Sequence, residues 1–354
     1  MKILVLAMIT ALFFLFTLPL FAAQNPPDLY RAKIIQIQEM PKNKQQIQQI
    51  IVARFVNGLY QGKTIKLTND YSGFPTDIRY TVGKLIFITE YRDASQRRFV
   101  ITGPVRDQGV YLLIGIFVLS VLIIGGFQGI RALISLGSVC AVIFYILIPL
   151  VIRGYHPIPV TLILSAVATI FTLFFVSGVN PKTITAVIGT VSGVAMAGFL
   201  AWYFGNLISL VGYSDESVQM LQYTSFPIDC KGLLFSGIII GALGAVMDVS
   251  MSIASALTEI KETNPKIGLN ELMSSGFKVG KDVISTMTNT LVLAYVGSSF
   301  PLLMLYHIYQ TPYQQIINQD AVAAELVRMF AGSIGLLAAI PVTTFIAAVF
   351  NYSE

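Results

Sequence analysis

The sequence predicts an α-helical integral membrane bundle of about seven transmembrane helices, preceded by an N-terminal signal or anchor and a small extracytoplasmic all-β domain. Three observations predict it. Of 354 residues, 55% are hydrophobic and only 12% are charged, about half the charge share of a soluble domain. The apolar residues fall in runs of about 20, enough at about 1.5 Å per residue to cross about 30 Å of hydrocarbon. Between the first run and the others lies a polar stretch in which short apolar runs alternate, which is strand periodicity.

Lys2 precedes the apolar stretch from Ile3 to Ala23, the mark of a secretory signal or an uncleaved anchor over residues 1–23. Either outcome sends residue 24 outward. Residues 24–109 form the β domain. Its candidate strands are Arg31 to Gln38, Ile50 to Asn57, Thr64 to Thr68, Leu85 to Tyr91 and Arg98 to Thr102, separated by Gly58, Gly62, Asn69-Asp70, Gly73 and Gly83. Five short strands with glycine turns suggest a small barrel of OB or SH3-like type, a fold that serves as adapter or lid as readily as it binds a ligand.

Residues 110–354 form the polytopic domain. The expected spans are Val110 to Gly126, Ala132 to Ile152, Val160 to Val176, Thr183 to Ile208, Gly232 to Leu257, Val283 to Tyr306 and Met329 to Phe350. With residue 109 outside, the inner loops hold Arg131, Lys182, Lys261, Lys266, Lys278 and Lys281. The outer loops hold Arg153 and Lys231, with Arg328 at the outer edge of the last span. The positive-inside rule agrees with that orientation and puts the C-terminus in the cytoplasm. Asp215, Glu216 and Asp229 make the outer segment from Tyr213 to Cys230 acidic, a place to gather cations or simply a solvated loop. Glu259 to Asp282 mixes charges with Ile267, Leu269, Leu272, Met273 and Phe277, as a short interfacial amphipathic helix does.

The formal net charge of +5 belongs to the β domain. Residues 24–109 hold thirteen Lys/Arg against seven Asp/Glu, and the rest of the chain ten against eleven. That surface is attractive to anionic headgroups or a cell-wall polymer, or is merely solvated. Its basic residues are dispersed rather than striped, so no nucleic-acid partner is expected. Cys140, Cys230, His156 and His307 offer no disulfide framework and no metal spacing. Neither a metal nor an organic cofactor is expected.

Asp248 is the one acidic residue deep within an expected span, sixteen residues after Gly232 and nine before Leu257. A carboxylate there costs about 2.5–3.5 kcal/mol on insertion scales and normally faces a bundle interior or a water-filled path. That makes it a proton or cation site candidate. Gly237, Gly241, Gly244, Asp248, Ser252, Ser255 and Glu259 follow one another at intervals of four, three, four, four, three and four residues, which keeps them within an arc of about 80°. The face is small above the aspartate and polar below it. Gly237, Gly241 and Gly244 let another helix approach closely, and the hydroxyls can pass or coordinate an ion. The alternative is a tight helix seam in which a neighbour satisfies Asp248.

On the next span Lys278, Lys281, Asp282, Ser285 and Asn289 share a face, with Thr286, Thr288 and Thr290 nearby. Asn289 is the expected partner of Asp248, directly or through Ser285 or water. A third small face, Gly189, Gly193 and Ala197 with Ser192 beside it, is interrupted by Met196.

The run Gly241-Ala-Leu-Gly-Ala-Val-Met-Asp248-Val-Ser-Met-Ser-Ile-Ala-Ser-Ala-Leu-Thr-Glu259-Ile resembles the YibE/F family of bacterial membrane proteins. The resemblance covers nearly the whole chain and implies a multi-pass protein of the bacterial cytoplasmic membrane, with no settled biochemical activity attached. Around Asp248 the chain is also similar to the permease half of the RND superfamily, including SecD/SecF, where an intramembrane aspartate takes part in proton relay. That likeness implies such a role for Asp248. The chain departs from it in having extra spans, a smaller outer domain and no deep basic residue.

The expected function is a proton- or cation-linked transporter or permease subunit using Asp248. A non-transporting scaffold of an envelope complex, held by a protein partner or by a second copy, is the alternative. Catalysis is not expected: aspartyl chemistry needs two carboxylates in one site, and the chain shows no HExxH, Cys/His pairing or phosphate loop.

Overall fold

A computed structural model describes residues 29–43, 46–72, 74, 77–92, 97–213 and 216–353. The expected signal or anchor and Asp215 lie outside the described residues. The chain divides into two compact units near residue 125.

In the first unit the five expected strands form, at Leu29–Asn43 (β1), Gln46–Phe55 (β2), Thr64–Tyr71 (β3), Leu85–Arg92 (β4) and Arg97–Pro104 (β5). They make one antiparallel sheet in the order β3-β2-β1-β4-β5, with β3 and β5 approaching one another as in a barrel. Alternation sets the register. Ala32 lies opposite Phe55 and Ile34 opposite Ala53, and with Tyr30, Ile51, Leu67, Tyr80, Ile86 and Ile88 they fill the core. Gly58 turns the chain at φ +78°, where an added Cβ would meet the Tyr30 ring at 2.7 Å, so only glycine fits there.

Gln49 and Glu90 are buried polar side chains of this unit. Gln49 donates to the Tyr80 carbonyl at 3.1 Å and accepts from the Tyr80 N–H at 3.0 Å, clamping the segment before β4. Glu90 accepts from the hydroxyls of Tyr30 and Tyr60 at 3.3 and 3.2 Å. A carboxylate so buried is tolerable because its oxygens are hydrogen-bonded.

The helices are α1 (Asp107–Val142), running through a π-helical turn at Ile143–Leu147 into α2 (Ile148–Ile152), then α3 (Pro157–Ser177), α4 (Pro181–Leu207), the short α5 (Glu216–Leu221), α6 (Cys230–Thr263), α7 (Leu269–Ser298), α8 (Phe300–Ile308), the short α9 (Tyr313–Ile317) and α10 (Asp320–Ser353). Among the described residues, five helical stretches are long and apolar enough to cross a membrane, or six if α7 and α8, bent by 60°, count as one broken span. The expected figure of about seven is therefore approximate. It took Asp107–Ile152 as two spans, whereas the structure has one stretch of 46 residues that leaves helical geometry at Gly126, φ 51°, ψ −130°. At about 1.5 Å per residue that stretch is roughly twice the length one crossing needs. Pro301, in the first turn of α8, has no N–H to continue α7's ladder, which accounts for the bend there.

Capping residues punctuate the bundle. Asn180 accepts from the Thr183 N–H at 2.8 Å ahead of Pro181, and so starts α4. Asp229 starts α6 by accepting from the Gly232 N–H at 2.9 Å, so one of the three acids of the expected acidic segment serves as a helix cap. The expected interfacial helix between residues 259 and 282 is not a separate element. α6 continues to Thr263, and the apolar residues from Leu269 onward are the opening turns of α7.

The centre of the bundle is α4, α6 and α10, flanked by α3 and α7. Half of the apolar window of each central helix is buried, against 28% for α3 and none for Asp107–Ile152. The seam between the central helices is made by absent side chains. A Cβ on Gly193 would stand 2.7 Å from both the Gly335 carbonyl oxygen and Val246 Cγ1, and Met196 turns outward from this seam, exposed.

Candidate functional site

α6 has two unlike faces. Phe235, Ile238, Ile239, Ala242, Val246, Val249, Ile253 and Leu257 recur every three or four residues and are buried to within 1%. They bind α6 to the core by close packing against the neighbouring helices, the attraction that holds helices together in lipid. The stripe of interest lies on the remaining side. Gly237, Gly241, Gly244, Asp248, Ser252 and Glu259 are all exposed, with Ser255 half-buried. Among the described residues, a Cβ on Gly237 or Gly244 would meet nothing within 4 Å, while one on Gly241 would meet the Tyr295 hydroxyl of α7 at 2.5 Å. The sequence places Asp248 in mid-helix, where a bundle interior was the expected surrounding; the fold turns it outward.

α7 runs antiparallel beside this stripe. Tyr295 faces Gly241, and a Cβ on Gly276 would meet Leu257 Cδ1 at 3.0 Å. Counting along both helices from these two contacts sets Asp248 at the height of Ser285 to Thr288, next to Asn289. Glu259 comes level with residues 274–277, next to Lys278. Ser285 and Asn289 are exposed as Asp248 is. The Ser285 hydroxyl donates to the Asp282 carbonyl at 2.9 Å, Thr286 to Val283 at 3.1 Å and Thr290 to Thr286 at 2.9 Å. These are local back-bonds that leave oxygen lone pairs facing outward.

The expected hydrogen bond between Asp248 and Asn289 is not formed. Among the described residues the Asp248 carboxylate and the Asn289 amide each have no side-chain hydrogen bond, and Glu259 and Lys278 have no ion pair. The structure thus brings the sequence-predicted residues to one open face at matching heights without joining them. A carboxylate on a face that also carries hydroxyls, an amide and glycines can take up a proton or hold a cation.

Sequence reasoning missed the upper neighbour of this face. Arg328 was expected at the edge of the last span. α10 begins at Asp320 instead, and the Arg328 guanidinium lies 5.9 Å from the Tyr295 ring centroid and 3.6 Å from Glu325. Both side chains keep 28% of their surface exposed. A basic group therefore lies beside the Tyr295 whose hydroxyl meets Gly241, two helical turns along the stripe from Asp248. The periodic apolar residues before Met329, at Val322, Leu326 and Val327, were the available signal that the helix starts earlier.

Comparison with known proteins agrees with this organisation. Residues 113–352 match the family of YibE/F-like proteins, and residues 29–104 match the YibE/F family N-terminal domain. No curated protein and no solved structure matches the chain. The two matches cover the helical and the β region in turn, and by them the chain belongs to the YibE/F family of membrane proteins.

Proposed function

We propose that this protein is a proton- or cation-linked transporter, or the permease subunit of an export assembly, in which Asp248 takes up and releases the coupling ion. The observation that carries the reading is an unpartnered carboxylate in the middle of a 34-residue helix, with glycines on one side of it and hydroxyls on the other. A group so costly in hydrocarbon is kept where it has work to perform. Ser252, Ser255 and Glu259 continue the polar path toward one membrane face, and Ser285 and Asn289 line it from α7. The distribution of Lys and Arg orients residues 24–109 outward and the C-terminus toward the cytoplasm of a bacterial cell. The β domain gates the path or presents substrate to it.

Purified protein in proteoliposomes, assayed for flux of candidate ions and solutes with and without a pH gradient, tests the proposal. Asp248→Asn is expected to lower coupled flux at least tenfold with unchanged membrane insertion. Retention of full flux by that variant would sink the reading.

The open stripe favours one further reading, a non-transporting scaffold on which another membrane helix docks. Flux separates the two: a permease moves solute in proteoliposomes and loses it with Asp248→Asn, whereas a scaffold moves none and holds its partner through the stripe.

A further inference from the structure

The polar faces of α6 and α7 lie side by side on the outside of the bundle. Asp248, Ser252, Ser285 and Asn289 lie within the expected spans, where a carboxylate and an amide are costly against lipid tails, so something covers them. Glu259 and Lys278 continue the face to the inner membrane edge. Two features identify what does. The apolar run Ile3 to Ala23 contains no carboxylate and no amide, and so offers no counter-ion to Lys278 and no side-chain amide to Asp248. The face itself carries both members of each complementary pair, a carboxylate and an amide at one height, an anion and a cation at another.

We propose that a second copy of this chain closes the face, related by a two-fold axis along the membrane normal, with α6 of each copy against α7 of the other. Such an axis keeps every residue at the same depth in both copies. Asp248 then meets Asn289 of the partner subunit, and Glu259 meets Lys278 of the partner subunit. Each contact occurs twice, as an isologous interface requires. Gly237 and Gly244, open in the single chain, let the helices approach closely. This rests on the transport reading for the identity of the site: the surroundings of Asp248 are incomplete in one copy, and the partner supplies the amide.

The test uses the full chain in membranes, with Cys140→Ser and Cys230→Ala. Single cysteines replace Gly244 or Ser252, with Ile163→Cys and Phe345→Cys as exposed controls on α3 and α10. Cross-linked homodimer is expected from the first two positions and not from the controls. In the Ser252→Cys background, Glu259→Lys or Lys278→Glu is expected to lower dimer yield at least tenfold, and the double swap to restore it. No homodimer from folded protein would overturn the proposal, as would cross-links mapped to residues 3–23 or to another protein. Dimer formation alongside full flux in Asp248→Asn would remove the transport reading and leave the interface standing. A monomer whose flux still depends on Asp248 would do the reverse.

Discussion

Glycines four residues apart recur on α4 and on α6, and the fold uses these two sets in opposite ways. On α4, Gly189 and Gly193 are buried against α10 and α6, and the Gly335 backbone sits where a Gly193 side chain would stand. On α6, Gly237 and Gly244 meet nothing among the described residues, and Gly241 meets only the tip of one tyrosine. The same pattern is a closed seam in one place and an open one in the other. What differs is the opposite side of each helix. α4 turns Ile184, Ile188, Phe199 and Trp202 outward and packs glycines and alanines inside, whereas α6 packs Phe235, Ile238, Val246, Val249, Ile253 and Leu257 inside and turns Gly237, Gly241 and Gly244 out.

The sharpest way to break this comparison is to fill each gap. Gly193→Leu forces a side chain against backbone that cannot give way, and is expected to destabilise the bundle by more than about 3 kcal/mol. Loss of folded protein on detergent extraction would show it. Gly241→Leu displaces only the flexible end of Tyr295, and a loss of about 1 kcal/mol is expected by thermal unfolding. In monomeric protein Gly244→Leu should stay within about 0.5 kcal/mol of the parent in the same measurement. A large loss at Gly244 in monomeric protein would mean that the stripe is already occupied within one chain.

A pH titration of unfolding separates the β domain from both seams. The Arg79 guanidinium, with help from Gln49, holds the Glu39 carboxyl below its ordinary range. A lowered folded value gives stability that is full above the ordinary carboxylate range and is lost as pH falls through the folded value. The pair is solvent-exposed, so the effect is the smallest of the set. Arg79→Ala should flatten the acid limb of the β-domain transition and leave the helical transition unchanged.

Much of the architecture was written in local pattern. The strand alternation placed all five strands, because one face of a sheet must bury every second residue. The apolar runs placed the helical region, and the periodicity of Gly237 to Glu259 put seven residues on one face of α6. These features survive because they depend on neighbours in the sequence. Which way that face points depends on residues far away. Val246 must meet Gly193 and Ile340 must meet Gly280 before α6 has an inside, and no local spacing encodes those meetings. The same holds for Arg328, brought to Tyr295 from 33 positions along the chain. The sequence by itself determined that a carboxylate, a run of glycines and a ladder of hydroxyls share one strip of helix. Only the tertiary structure decided that the strip faces out, since in lipid the orientation of a helix is settled by which face packs closely against the side chains and backbone of the other helices.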